Sequence, residues 1–228
     1  MDRQFPHHES EIAQSTIAHN HVPVKYWMHN NMITINGKKM GKSYNNVIKL
    51  TELFSGNHPM LEKAYSPMVI RFYILQTHYR STLDFSNEAL QAAERGLQRI
   101  WEAYRVLQKL SPPQETSAID KETEEKITKL CAECKEFMED DFNTAKVLAN
   151  LFELVPVINS LKGGQLSLSS ISPFAFNLLK DTFHLYLVNI LGLQPENEEE
   201  EQKLEGILQL LIDLRKEAKD KKDYATSD

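Results

Sequence analysis

SNEALQAAERGLQRIWEAYRVLQKL, residues 86–110, places Leu90, Ala93, Leu97, Ile100, Tyr104 and Leu107 at steps of three and four. That spacing lines one face of an α-helix. Ser86 stands where an N-cap belongs, and Ser111-Pro112-Pro113 cannot prolong a helix. The same pattern recurs downstream. A second helix is predicted from about Asp120 to Met138. A third follows Asn143-Thr144, with Val147, Leu148, Leu151, Leu154, Val155 and Ile158 on its apolar face; Gly163-Gly164 and a Ser-rich loop close it. A fourth spans about Pro173 to Leu191, and a fifth about Glu198 to Lys221, with Leu204, Ile207, Leu208, Leu211 and Leu214. From Asp84 onward the reading is helical throughout, and helices joined by short loops predict an antiparallel bundle.

Upstream the texture changes. Residues 1–50 are dense in His, Asn and Lys, with one clear strand, Met32-Ile33-Thr34-Ile35, ending at Asn36-Gly37, a strong turn signal. Residues 51–81 mix short helical and irregular pieces, with Pro59 and Pro67 as breaks. The charge divides the same way. The chain carries −6 in all, as +4 over residues 1–80 and −10 over residues 81–228. A polyanion would therefore meet the N-terminal third first. With 41% hydrophobic and 25% charged residues, the composition is that of a soluble globular protein. No apolar run approaches the roughly 20 residues that span a bilayer. Met1-Asp2-Arg3-Gln4 has no signal-peptide core, so a cytoplasmic location and no membrane partner are expected. The only cysteines, Cys131 and Cys134, fall on the apolar face of the second helix. A CxxC pair can bind metal or do redox chemistry, but here burial is the expected role.

Two motifs carry chemistry. Lys38-Lys39-Met40-Gly41-Lys42-Ser43 follows the strand and turn directly. Its ammonium groups can neutralise charge building on departing pyrophosphate, and Gly41 lets the backbone approach or the loop move. A P-loop would need glycine at position 36, which is Asn36; an exposed basic hairpin turn is the plain alternative. The second motif is Phe5-Pro6-His7-His8-Glu9-Ser10-Glu11. If Pro6 opens a helix, His7 and Glu11 share a face four residues apart, a spacing that suits zinc. His8 would then pair with Ile12. A surface salt bridge or N-terminal cap is the plain alternative, and two ligands cannot complete a tetrahedral site.

Taken together, Phe5 to Ser15, then Tyr26-Trp27-Met28-His29, then Lys39-Met40-Gly41-Lys42-Ser43 resemble the cysteinyl-tRNA synthetase pattern in order and spacing. The likeness continues at Arg71-Phe72, His78-Tyr79-Arg80-Ser81, Asp140-Asp141-Phe142-Asn143-Thr144, Arg215-Lys216-Glu217-Ala218 and Lys222-Asp223-Tyr224-Ala225. The resemblance implies a mainly α chain. Residues 1–50 would be the end of a class I Rossmann-type catalytic domain with the lysine-signature loop, residues 51–81 a small connecting domain, and residues 82–228 a helical anticodon-binding bundle. It implies a ligase that joins L-cysteine to tRNA-Cys through cysteinyl-adenylate, using ATP with Mg²⁺. His7 and Glu11 match two of the family's four zinc ligands, and zinc grips the substrate thiolate. Lys42, assisted by Lys39, would act catalytically on the ATP phosphates. Met40, Ser43 and His29 join the nucleotide site, and Trp27 would line it. Arg80, Arg95, Arg99 and Arg105 would face tRNA phosphates. A monomer is expected.

The sequence also departs from the pattern. Gly41 stands where the family usually has Ser, none of the eight histidines sits in His-x-Gly-His, and no cysteine lies upstream of His7. The chain is therefore expected to be a fragment, inactive alone, that binds zinc weakly at best. The rival readings are a cysteine–glucosaminyl-inositol ligase of related fold and a stand-alone helical RNA- or protein-binding module.

Overall fold

The computed structural model describes residues 4–116, 118–195 and Arg215. A π-helical turn, Gln4–His8, leads into α1 (Glu9–His19). A long irregular stretch then reaches β1 (Ile33–Ile35), which turns back as β2 (Lys38–Lys39). After α2 (Leu50–Ser55) and α3 (Pro67–Leu75) comes β3 (Leu83–Phe85). The remainder is α4 (Asn87–Lys109), α5 (Lys121–Glu139), α6 (Thr144–Lys162) and α7 (Pro173–His184), with a π-helical continuation, Leu185–Ile190.

The helix starts follow from side-chain caps. Ser66, Ser86, Asp120, Asn143 and Ser172 each accept a hydrogen bond from a first-turn backbone N–H, at Val69, Ala89, Thr123, Lys146 and Ala175. Each satisfies a donor that the helix leaves open, stabilising by about 1 kcal/mol. The expected boundaries near Ser86, Asp120 and Asn143 therefore agree with the structure to within a residue or two. The fifth expected helix, Glu198–Lys221, lies outside the described residues apart from Arg215.

α4 packs on α3, α6 and α7, while α5 packs on α6 and α7. Between them lie Leu90, Ile100, Leu107, Ile127, Leu148, Leu151, Leu154, Ile158, Phe176 and Phe183, all with almost no exposed surface. Full burial of one such side chain contributes roughly 1.5–3 kcal/mol. Gly96 sits where α4 crosses two aromatics: a Cβ there would lie 3.3 Å from Phe72 and 3.4 Å from Phe152. Those rings meet edge-on at 6.1 Å.

One expectation is overturned. The chain is not helical throughout from Asp84: Leu83–Phe85 is a strand, paired in parallel with β1 in the order β2-β1-β3. Asp84 is what such a segment needs. Its carboxylate accepts from Thr34 Oγ1 at 2.5 Å and from Gly37 N at 2.7 Å, bracing the hairpin. A three-residue strand carries too little alternation to be read alone, and its partner is about fifty residues upstream.

Candidate functional site

Hairpin formation begins at Asn36-Gly37. Both residues have positive φ, 50° and 73°, and they form the whole connection between Ile35 and Lys38. That is the two-residue turn whose twist matches the flanking strands. Lys38 and Lys39 are therefore strand residues, not loop residues. Both are exposed, as are Lys42 and Ser43. None of the three lysines forms an ion pair among the described residues, so their charge is uncommitted. Met40 is half-buried against the core and anchors the hairpin edge.

Past Met40 a short 3₁₀ turn, Lys42–Tyr44, presents Lys42. The residue that shapes this segment is Asn46, which is buried: its Oδ1 accepts from Gly41 N at 2.9 Å, and its Nδ2 donates to Lys39 O at 3.1 Å. Sequence reading passed over Asn46, because one Asn in an Asn-rich stretch carries no local signal. Gly41 has φ −171°, extended backbone open to any residue, so its conformation does not demand glycine. Beside Lys42 lies an open pocket of about 560 Å³, lined also by Asn45, Val47, His58, Pro59 and Met60.

The histidine motif is arranged differently from expectation. His8, not His7, meets Glu11: His8 Nδ1 lies 2.9 Å from Glu11 Oε2. Residues three apart share a helix face as four-apart residues do. The π-helical turn over Gln4–His8, unforeseen from Pro6, sets where each ring enters the face. The other nitrogen of His8 lies 2.9 Å from His29 Nε2, and its ring centre lies 4.1 Å from that of Trp27, the planes tilted by 34°. When both imidazoles are neutral and Glu11 is ionised, the protons are ordered. His8 Nδ1–H donates to the carboxylate, and His29 Nε2–H donates to His8. Trp27 is half-exposed and belongs to this cluster, not to the core. His7 is exposed. Among the described residues no three His, Cys, Asp or Glu side chains converge as a metal cage. His29 joins His8 and Glu11, and it makes no hydrogen bond or ring contact with the lysine hairpin.

Arg95 and Arg99 are exposed on α4. Arg80 is engaged: its Nε lies 3.0 Å from Asp141 Oδ2 and 3.1 Å from Tyr79 Oη. The hydrogen bond to Tyr79, and then the Asp141 carboxylate, hold the Arg80 guanidinium above its ordinary pKa. The cysteines behave as buried side chains. Cys134 Sγ donates to Leu130 O at 3.2 Å, and burial, then the neighbouring Cys131 and Glu133, push its pKa up to about 12. Burial raises Cys131 as well. Thiols held protonated this firmly are poor metal ligands and poor nucleophiles.

Residues 1–95 match the family of class I (C) tRNA synthetase catalytic domains, and residues 134–211 match the DALR domain family. Across its whole length the chain is 50% identical to a cysteine–tRNA ligase of Bacteroides thetaiotaomicron, covering 45% of that protein. It is 49% identical to the ligase of Parabacteroides distasonis and 39% identical to that of Chlorobaculum tepidum, covering 45% and 44% of them. Over its whole length the chain is thus similar to cysteine–tRNA ligases, with a class I catalytic-domain match followed by a DALR match. It spans a little under half the length of the curated relatives it matches. No helix among the described residues is long and apolar enough to cross a membrane.

Proposed function

We propose that the chain is the phosphate-handling and tRNA-binding part of a cysteine–tRNA ligase, which forms cysteinyl-adenylate from L-cysteine and ATP and passes the cysteinyl group to the 3′ end of tRNA-Cys. The observation that carries this reading is the braced hairpin and the turn after it, which leave Lys38, Lys39 and Lys42 exposed with their charge unspent, Lys42 beside an open pocket. Lys42, on its own tight turn, places an ammonium against the ATP phosphates as pyrophosphate leaves. Lys39 adds a second charge from the strand edge, and Met40 and Ser43 complete the nucleotide contact. Charge placed where charge develops lowers the barrier most when it needs no rearrangement, and Asn46 supplies that fixity. ATP brings Mg²⁺ as part of the substrate.

His7 and Glu11 are the residues that would contribute to a zinc site. Their donor atoms suit zinc, but their number does not fill a tetrahedral shell, so the remaining donors would have to come from elsewhere. Bound zinc would select a soft thiolate over a serine hydroxyl. Within the chain, Glu11 is held by His8, and His8 by His29 and Trp27, so this cluster orients the carboxylate. We read residues 1–50 as the closing piece of the nucleotide-binding domain, residues 51–81 as the connecting domain, and residues 82–228 as the anticodon-binding bundle. Arg95 and Arg99 would offer phosphate contacts, and Arg80 would do so only by leaving Asp141. The DALR match and the tRNA-ligase relatives speak against the sugar-ligase reading.

The chain contains no His-x-Gly-His, and both its thiols are buried in α5, so it is expected to show no cysteine-dependent ATP–pyrophosphate exchange alone. Fusing to it the part of the Bacteroides thetaiotaomicron ligase that it does not match should restore exchange. In that fusion Lys42→Ala should lower the rate by about 10²–10³. A fusion that binds ATP and cysteine yet exchanges no pyrophosphate would overturn the proposal.

A further inference from the structure

We infer that Asp141 is a latch that fixes the strand carrying the lysine hairpin to the corner between α5 and α6. Its carboxylate gathers a turn about sixty residues upstream: Oδ1 accepts from Tyr79 Oη at 2.6 Å and from Arg80 Nη2 at 3.3 Å. Oδ2 lies 3.0 Å from Arg80 Nε and 3.6 Å from His78 Nε2. Arg80 N donates to His78 Nδ1 at 3.3 Å, which leaves His78 Nε2 to carry the ring proton and donate to Asp141 O at 3.1 Å. All three side chains of the turn thus end on one residue of the bundle.

From that turn the connection runs to the hairpin. Asn31 N donates to Tyr79 O at 3.0 Å, and Asn31 Nδ2 donates to Arg80 O at 2.9 Å. Asn31 Oδ1 accepts from Met32 N at 2.8 Å, Met32 O accepts from Leu83 N at 3.1 Å, and β1 follows. A second tie lies alongside, where Thr144 Oγ1 donates to Leu75 O at 2.8 Å at the end of α3.

The corner's own backbone argues that the arrangement is imposed. Asp141 and Phe142 have φ of 59° and 54°, consecutive left-handed residues without a glycine, and Phe142 is half-exposed. Such strain persists only where surrounding contacts over-determine it. Here Asp141's side-chain contacts add to the backbone bonds that close the corner, Phe142 N to Met138 O at 3.2 Å and Asn143 N to Phe137 O at 2.9 Å. The latch stands on these contacts alone, whatever the hairpin binds.

Amide hydrogen exchange on the full chain tests it. Asp141→Gly keeps the left-handed backbone and removes the carboxylate. Exchange over residues 31–39 and 83–85 should rise about tenfold, while amides within α5, α6 and α7 keep their protection. Asp141→Asn keeps an acceptor for Tyr79 but loses the charge facing Arg80, so it should show a smaller rise in the same segments. Unchanged protection of residues 31–39 in Asp141→Gly would overturn the latch. So would a rise shared equally by the hairpin and the α5–α6 amides in both variants. Should Asp141→Gly fail to fold, Asp141→Asn and Tyr79→Phe carry the same comparison.

Discussion

The segment from the N-terminus to the lysine hairpin and the helical bundle are held by different means. Within residues 6–48 only Ile35 and Asn46 are buried, α1 buries nothing, and Ile17 is 85% exposed. In the bundle every described helix contributes fully buried side chains, and most of the core lies there, the rest coming chiefly from α3 and the segment before it. The residues that match the family's metal and nucleotide motifs therefore sit in the least packed part of the described residues. The bundle, whose side chains do no proposed chemistry on cysteine or ATP, supplies the stability. In the N-terminal segment, position is set by polar contacts: Asn46 on the loop, Asp84 on the turn, and the His8–His29–Glu11 chain.

The sharpest way to break this contrast is to remove the same kind of group from each side. Leu151 is completely buried in α6, so Leu151→Ala should cost about 2–5 kcal/mol through lost transfer energy and the cavity left behind. Ile17→Ala, on the exposed face of α1, should stay within about 0.5 kcal/mol. Urea unfolding of the two variants measures both. Comparable losses would mean that α1 shares in the core after all.

The second test uses the bundle's buried thiol. In the folded chain Cys134 holds its proton up to about 12, from an ordinary value of 9.0, because burial disfavours the thiolate. The unfolded chain therefore loses this proton first as the pH rises. The contribution is fully present below pH 9 and declines above it, reaching about 1 kcal/mol lost by pH 10. Burial raises Cys131, Tyr65, Tyr73 and Tyr186 too, so they add to the same alkaline decline. Melting temperature measured from pH 8 to pH 11 should fall less steeply in Cys134→Ala than in the parent. Equal slopes would show that Cys134 ionises freely and is not sealed in the core.

How much was legible follows the same division. Helix periodicity and capping residues are local, so Ser86, Asp120 and Asn143 could be read as helix starts from the sequence. So could the burial of Cys131 and Cys134, from their place on the apolar face. Contacts between distant segments could not be read. Nothing in Leu83-Asp84-Phe85 announces a parallel partner at Ile33–Ile35, and nothing in Asp141 announces Tyr79 and Arg80. The histidine motif is a subtler case. His7 stands four residues from Glu11 and His8 three, both spacings share a helix face, and sequence alone does not say that the His8 ring is the one that meets the carboxylate. In the lysine hairpin, the Asn36-Gly37 turn was plain from its residue types. The clamp by Asn46 was not, because a buried amide is defined by what surrounds it.

A third test asks whether that clamp is local. Asn46→Ala strips Gly41 N and Lys39 O of their side-chain partner, at a cost of about 1 kcal/mol. Because the hairpin carries little of the core, the loss should appear as faster amide exchange over residues 39–46, with little change in global unfolding. A drop in global stability equal to that of Leu151→Ala would tie the hairpin to the bundle far more tightly than its packing suggests.

The smallest effect is expected at Gly41, where the comparison can be sharpened to a single atom. If the segment relied on glycine's freedom, replacing Gly41 would disturb it. The backbone there is extended, and a Cβ would lie 3.4 Å from Tyr44 Cδ2, an ordinary van der Waals contact. Gly41→Ser should therefore change unfolding free energy by no more than about 0.5 kcal/mol, and a slight gain is natural because the unfolded chain loses freedom. The hydroxyl would stand in the same exposed turn as Lys42 and Ser43, where water satisfies it. Amide exchange at residues 39–46 should match the parent if Asn46 sets the shape of the turn. A loss above 1 kcal/mol, or exchange as fast as in Asn46→Ala, would assign that shape to the glycine.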